Sequence, residues 1–523
     1  MSGFPNLGGA IAANAHRYPD RVGARDLHRA LTYREWNARS NRLANALLGM
    51  GLSRGDRVAV LSHNRLEWLE IYAAGAKAGL VTVPVNFRLV ASEIGYILAD
   101  AGVGAVIVHE DLLGVIEELK PDLGGVTLIH IGAGSTPPGF LAYEELVSAA
   151  SESEPDTSTA PTDPWAMMYT SGTTGRPKGA VQSHQSAAAI ALVTALDFGF
   201  STADTALLVM PMCHANSLYF FTTFAYLGAA VCVYDRPSFD PQHLLDTLAA
   251  ERVTFTSLVP THYITMLDLS PAVRRSARAG SVRKLLISSA SARRDTKLGI
   301  LEEFPGSHLY ELYGSTEAGW VTLLRPEEQL TKLGSVGREF TGSAPIRLLD
   351  EAGNDVNDGE VGELFSRTPY TFTEYWGRPE NTAEAFRAGH CTVGDLARRD
   401  PDGFYHLVDR KGNLIISGGE NVYPSEVENL LGGHPKVCDV AVIGIPHHRW
   451  GESVHAVVVL GEGEVSTPEE LMEWCRGRIA GYKRPGSIDI VTAAAMPRTA
   501  TGKILHRVLR ERYSARPENL PQP

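Results

Sequence analysis

Apolar and polar positions in the first part of the chain switch repeatedly between a helical period and short, fully apolar runs. Thr32 followed by Glu35 forms a capping box, in which each side chain satisfies an open backbone amide at a helix start. Trp36, Leu43, Ala44, Leu47 and Leu48 then trace an amphipathic stripe, and Gly51 marks its stop. A strand is predicted over Val58 to Leu61, a helix around Trp68 to Ala78, and a strand over Val81 to Val85. Further strands are predicted at Ala105 to Val108, Val126 to Ile131, Ala206 to Met210, Val253 to Val259 and Leu285 to Ile287. Short apolar strands separated by helices imply parallel sheets covered on both faces. The polar run from Glu152 to Asp163 reads as an exposed loop.

Beyond about residue 410 the units shorten. Strands are predicted at Asp439 to Ile443, Val454 to Leu460 and Ile488 to Val491, with helices at Thr467 to Ile479 and Ile504 to Tyr513. The expected fold class is α/β: a large N-terminal domain of parallel-rich sheets flanked by helices, residues 1–410, and a small α+β C-terminal domain, residues 411–523.

Composition narrows the class. With 44% apolar and 21% charged residues the chain is globular rather than disordered or fibrous. Its formal charge of -12 disfavours broad electrostatic binding to nucleic acid or anionic lipid, while leaving room for a local phosphate site. Five cysteines, at 213, 232, 391, 438 and 475, lack C-x-x-C spacing and read as reduced thiols of a cytoplasmic protein. No signal peptide is expected from the first twenty residues. The uncharged interval Ala215 to Tyr234 is long enough for a bilayer, but Asn216, Ser217, two threonines and Gly228 interrupt it. It is predicted as a buried helix, a glycine break and a strand, and no membrane span is expected.

The densest chemistry lies at Tyr169 to Gly179, YTSGTTGRPKG. Its glycines let the backbone approach an anion, its hydroxyls donate, and Lys178 adds a charge. It is not a Walker A loop, because Lys178 follows Pro177 and precedes Gly179. Gly132-Ala133-Gly134 is a weaker glycine fragment, and Pro137-Pro138 blocks the helix that a dinucleotide site needs.

Other segments follow in order: YGSTE at Tyr313 to Glu317, Gly394-Asp395 within HCTVGDLARRDPDGFYHLVDRKGNLIISGGENVYPSEVE, YKRP from Tyr482, and PRTATGKI from Pro497. Together with the glycine-rich loop, this set resembles the adenylate-forming superfamily of acyl-CoA synthetases, carrier-protein adenylation domains and luciferases, over nearly the whole chain. The resemblance implies that a carboxylate attacks the α-phosphorus of ATP to give an acyl-adenylate, which a thiol then captures.

By the same resemblance, Thr170, Ser171, Gly172, Thr173, Thr174, Gly175 and Lys178 hold the phosphates. Glu317 binds Mg²⁺ and Thr316 donates to a phosphate oxygen. Adenine lies between Tyr313 and the segment Ser288 to Ser291, including Ser289 and Ala290, and Glu311, Leu312 and Gly314 also belong to the ATP site. Many relatives carry a Gly-Gly-Ala-Pro-like stretch where Ser289 and Ser291 depart from pattern. Asp395 accepts from the ribose hydroxyls, Arg410 contacts ribose or phosphate, and Lys503 bridges the attacking carboxylate and the α-phosphate. A mobile C-terminal domain is implied, hinged at Gly412, with Gly418 and Gly419 lining the pantetheine tunnel.

His214, Asn216, Tyr219, Ala318 and Gly319 are the expected neighbours of the acid. Ala215 to Tyr234 carries no charge, so a substrate ammonium would be buried unpaired; an amino acid is disfavoured. The expected partners are ATP, CoA and a carboxylic acid with an aliphatic, aromatic or polycyclic tail, with Mg²⁺ as cofactor. No carrier domain is expected after the final helix, so a freestanding CoA ligase fits best. Delivery of the adenylate to an acyl carrier protein is the main alternative. A luciferase-like oxygenase and a non-catalytic nucleotide-binding protein are the others, and pyrophosphate exchange discriminates against the last.

Overall fold

The computed structural model describes residues 4–170, 176–276, 280–288, 292–417, 420–447, 449–499 and 502–515. The chain divides into two compact units, Met1–Ile346 with Ser366–Cys391, and Arg347–Phe365 with Thr392–Pro523. The expected division at 410 falls within the second of these units. Strands Arg347–Leu349, Val361–Phe365, Asp395–Arg399 and Tyr405–Arg410 form one antiparallel sheet, which carries residues 392–410 into the second unit.

Among the described residues, the first unit contains an eight-stranded and a nine-stranded sheet. The first has a parallel core running Pro164–Thr170, Val81–Val85, Arg57–Leu61, Val103–His109 and Thr127–Ile131. Past Pro164–Thr170, its edge turns antiparallel through Lys178–Ser183 and the two-residue strand Glu374–Tyr375. The second has a parallel core from Val22–Arg25 through Ala230–Val233, Thr205–Leu208, Phe255–Leu258 and Lys284–Ile287 to His308–Ser315. His308–Ser315 then pairs antiparallel with Gly319–Leu324. Both faces of these strands are covered, as their largely apolar sequences require.

Thr32 and Glu35 make the capping box at the start of helix Tyr33–Gly49, and Trp36, Leu43, Ala44 and Leu47 are buried on its inner face. The uncharged segment folds as helix Ala215–Leu227, a left-handed Gly228 at φ 74°, and strand Ala230–Val233. Inside that buried helix the Thr222 and Thr223 hydroxyls donate to the carbonyls of Leu218 and Tyr219, so its polar groups cost little. No helix among the described residues is long and apolar enough to cross a membrane. Of the cysteines, Cys232, Cys391 and Cys475 are buried, and none of the five is in a disulfide.

In the second unit a mixed sheet of Glu420–Val422, Ile415–Ser417, Gly451–Leu460, Val437–His447 and Ser487–Ile490 packs against helices Pro424–Gly432, Pro468–Cys475 and His506–Ser514. The helix expected to reach 479 stops at Cys475, because Arg476 is extended and Gly477 is left-handed at φ 70°. The last helix starts at His506 instead of Ile504, since Ile504 forms a β-bridge with Arg498.

The run Glu152–Asp163 lacks regular structure, as expected, yet it is fastened down. Asn41 and Asn45 donate to its carbonyls, and Lys77 donates to Glu154 at 2.6 Å. The Lys77 side chain is only 3% exposed, so Glu154 supplies the charge that makes its burial tolerable. Glu154 itself is about half exposed, which moderates the effect. We expect Glu154→Ala to cost about 1–3 kcal/mol in chemical denaturation, whereas a change within a few tenths would show that Lys77 is solvated without it.

Candidate active site

The first unit builds its polar site at a hairpin. His308–Ser315 and Gly319–Leu324 are joined by Thr316, Glu317 and Ala318, with a bulge between Tyr313 and Gly314. A Cβ on Gly314 would lie 2.2 Å from the Gly319 carbonyl oxygen, and Gly319 is left-handed at φ 69° under the Tyr370 ring. The turn thus needs glycine at both positions. Ser315 Oγ accepts from the Ala318 amide at 2.9 Å, and Thr368 donates to the Ala318 carbonyl at 2.9 Å.

This turn delivers Glu317 into a buried position. Its Oε1 accepts from the Thr170 hydroxyl at 2.9 Å and from the Tyr375 hydroxyl at 2.9 Å. Among the described residues Oε2 accepts no hydrogen bond, and a hard, buried carboxylate oxygen of this kind fits Mg²⁺. The Thr316 carbonyl accepts from Gln182 Nε2 at 2.7 Å and Tyr219 Oη at 3.2 Å. Lys178 Nζ lies 4.4 Å from the Tyr375 ring centroid. Thr170, Lys178, Thr316, Glu317 and Tyr219 are therefore brought together around this turn.

Tyr375 and Gln182 were not anticipated. Both flank the glycine-rich loop through the strand Lys178–Ser183, to which Glu374–Tyr375 pairs, but neither belongs to a motif singled out in the sequence.

Other expectations are refined. Tyr313 and Gly314 are half-buried at the hairpin, but the Glu311 carboxylate lies 2.5 Å from Lys297 Nζ in a buried ion pair. Leu312 sits in the hydrophobic core. His214 caps helix Ala215–Leu227, Nδ1 accepting from the Asn216 amide, and burial pushes its pKa down to about 4. The Asn216 amide donates to Ser257 and Ser288, so it is committed to a buried polar cluster. Ala318 and Gly319 complete the same turn, where Gly319 lies under the Tyr370 ring and against Ile190. Ser171, Gly172, Thr173, Thr174, Gly175, Ser289 and Ala290 lie outside the described residues, as do Gly418 and Gly419.

The second unit assembles a charged group of its own. Asp395 and Arg410 face each other across paired strands, and Arg410 Nε donates to Asp395 Oδ1 at 2.8 Å. Lys503 sits in a hairpin closed by the Arg498–Ile504 bridge, with Gly502 left-handed at φ 83°. Its side chain keeps solvent access, yet its pKa is pushed down to about 8, first by the protein packed around it and then by the Arg410 charge. Asp395 and Asp409 pull the other way. Burial opposes charge on His506, but the Glu428 carboxylate at 2.6 Å overrides it and raises the pKa. Gly412 lies in a short 3₁₀ turn whose carbonyls, at Gly412 and Asn413, accept from Arg510 at 3.0 and 3.2 Å.

With these geometries in hand, the sequence matches the profile of AMP-binding enzymes over residues 11–376 and that of the AMP-binding enzyme C-terminal domain over residues 426–503. It is 38% identical over 511 residues to a feruloyl-CoA synthase of Amycolatopsis sp, covering 97% of this chain and 99% of that protein. It is 37% identical over 488 residues to the long-chain-fatty-acid--CoA ligase FadD13 of Mycobacterium tuberculosis, covering 93% of each. ATP-bound MatB from Rhodopseudomonas palustris superposes with a TM-score of 0.86 at 30% identity, covering 98% of this chain and 99% of that chain.

The hairpin geometry predicts that Gly314→Ala lowers stability by about 1–3 kcal/mol, because its new Cβ meets backbone that cannot swing aside. Gly49→Ala, where nothing lies within 4 Å, is the control and should be near neutral in the same denaturation experiment. Equal stability of both variants would show that the turn is looser than described.

Proposed function

The chain belongs to the AMP-binding enzyme family and is an acyl-CoA synthetase that uses ATP; within that activity we propose how its residues divide the chemistry and which acids it takes. The observation that supports the division best is the junction at Glu317, a buried carboxylate fastened to the residue that begins the glycine-rich loop.

In the first half-reaction the acid's carboxylate attacks the α-phosphorus, and pyrophosphate leaves with the electrons of the broken P–O bond. Both reactants are anionic, so cations and aligned donors carry most of the catalysis. Thr170 and Lys178 bind the β- and γ-phosphates, together with the loop between them. Thr316 donates to a phosphate oxygen, and Glu317 would hold Mg²⁺ through Oε2. When bound, the metal neutralises phosphate charge. Asp395, oriented by Arg410, accepts from the ribose hydroxyls. Lys503 supplies a cation to the attacking carboxylate and the α-phosphate.

In the second half-reaction the CoA thiol, losing its proton, attacks the acyl carbonyl and AMP leaves. Gly412 is the proposed pivot between the two half-reactions, since its backbone reaches conformations closed to other residues. Arg510 fixes the carbonyls on its C-terminal side. Both ATP and CoA are available in the cytoplasm, where we place the reaction.

The acid carries an uncharged tail. Helix Ala215–Leu227 is buried and has no charged residue, and His214 is neutral at pH 7. A substrate ammonium would find no partner there. A feruloyl and a long-chain fatty tail, named for the two relatives, are both uncharged. A panel of carboxylic acids followed by pyrophosphate release tests this reading. Turnover is expected with aromatic or aliphatic acids, and strong amino-acid-dependent release would contradict it.

Lys503 gives a second test. Lys503→Ala is expected to lose on the order of 10²–10³ in acid-dependent pyrophosphate release, while still converting supplied acyl-adenylate to thioester. Because a pKa of about 8 deprotonates the ammonium above that pH, adenylation should fall as pH rises through about 8. Lys503→Arg should be slower but lack that fall. A pH profile identical in both proteins would remove Lys503 as the titrating group.

A further inference from the structure

We propose that Tyr375 is a positioning residue for Glu317, holding one carboxylate oxygen so that the other faces the metal, and that its ring keeps Lys178 from neutralising that carboxylate. The proposal rests on Glu317 being the metal carboxylate.

Tyr375 is placed by backbone on both sides. Glu374–Tyr375 pairs with Lys178–Ser183, with Tyr375 opposite Ala180. The Trp376 amide donates to the Gly179 carbonyl at 2.8 Å and the Thr373 amide to the Val181 carbonyl at 2.9 Å. The same segment grips Glu317 itself, for the Phe372 amide donates to the Glu317 carbonyl at 2.7 Å. Phe372 packs edge-on to the Tyr375 ring at 4.8 Å, and Ala180, Ala385 and Cys391 complete a small apolar cluster around it. A ring held this way has little freedom to withdraw its hydroxyl.

The hydroxyl's position has a chemical consequence. Tyr375 and Thr170 both donate to Oε1, each at 2.9 Å, which draws charge to that oxygen and fixes the carboxylate plane. Oε2 carries no hydrogen bond among the described residues. A second feature concerns Lys178, whose ammonium lies over the Tyr375 ring at 4.4 Å. No ion pair joins Lys178 to Glu317 among the described residues. The aromatic face offers the ammonium a weak attraction instead of a neutralising one. Tyr375 thus leaves the cation to phosphate and the carboxylate to metal. A phenylalanine would keep the ring contact and lose the anchoring.

The test is calorimetric and needs no turnover: ATP affinity is measured in excess Mg²⁺ and in EDTA, and their ratio is the metal enhancement. Tyr375→Phe should lower that enhancement about tenfold, as expected for losing one hydrogen bond to a charged group, while ATP affinity in EDTA stays within about twofold. Thr170→Val should shift it the same way. The double variant Glu317→Gln/Tyr375→Phe should match Glu317→Gln alone, since the hydroxyl acts through the carboxylate. An unchanged enhancement in Tyr375→Phe, with Glu317→Gln abolishing it, overturns the positioning role. Additive losses in the double variant also overturn it, by placing the tyrosine's action elsewhere. If Glu317→Gln leaves the enhancement intact, the metal assignment itself fails and this proposal falls with it.

Discussion

A buried carboxylate must be held by donors, and the polar architecture of the first unit is organised around holding Glu317. Burial makes an unpaired charge costly, so each fastening comes from an element anchored in a sheet. Thr170 ends one strand, Tyr375 sits on an edge strand, and the hairpin bearing Glu317 continues the nine-stranded sheet. Tyr219 and Gln182 fix the preceding carbonyl, so the backbone that carries the carboxylate is constrained as well as its Oε1. The glycines at 314 and 319 follow from this demand, because the turn can present Glu317 only where neighbouring backbone has no Cβ in the way.

The second unit solves the complementary problem of keeping cations usable. Arg410 is engaged by Asp395, and its charge, together with the packing around Lys503, weakens the lysine's hold on its proton. A less strongly held proton makes Lys503 sensitive to the anions it meets. Glu428 is committed to His506, with Val442's amide also donating to it, so this carboxylate has its partners within the unit. Arg510 donates from its two terminal guanidinium nitrogens to the carbonyls of Gly412 and Asn413, which stiffens the chain on the C-terminal side of that glycine.

Much of this was legible in the sequence where chemistry is local. The Thr32–Glu35 capping box, the glycine break at 228 and the apolar strands depend on neighbours a few residues away, and they fold as read. The ordered motifs likewise announced the family. What escaped depends on distant partners. Tyr375 meets Glu317 across 58 residues and Gln182 meets Thr316 across 134, and nothing in either local sequence marks the contact. Glu311 adjoins a motif, yet its carboxylate pairs with a distant helix lysine, Lys297, which is buried against it, contrary to the usual solvated lysine. The run around Glu154 looked solvent-bound for the same reason: its composition is polar, while its partner Lys77 is hidden within an apolar helix. The two strands just before residue 410 pair with each other and group with the C-terminal segment, an arrangement between distant stretches that local sequence does not mark.

The measurement that bears most directly on the account is product stoichiometry. The protein is incubated with ATP, Mg²⁺, CoA and an accepted uncharged acid, and nucleotides, phosphates and thioester are quantified together. The account predicts AMP, pyrophosphate and acyl-CoA in equal amounts, none of them formed without the acid. Release of ADP and orthophosphate, or AMP and pyrophosphate accumulating with no thioester, would contradict it.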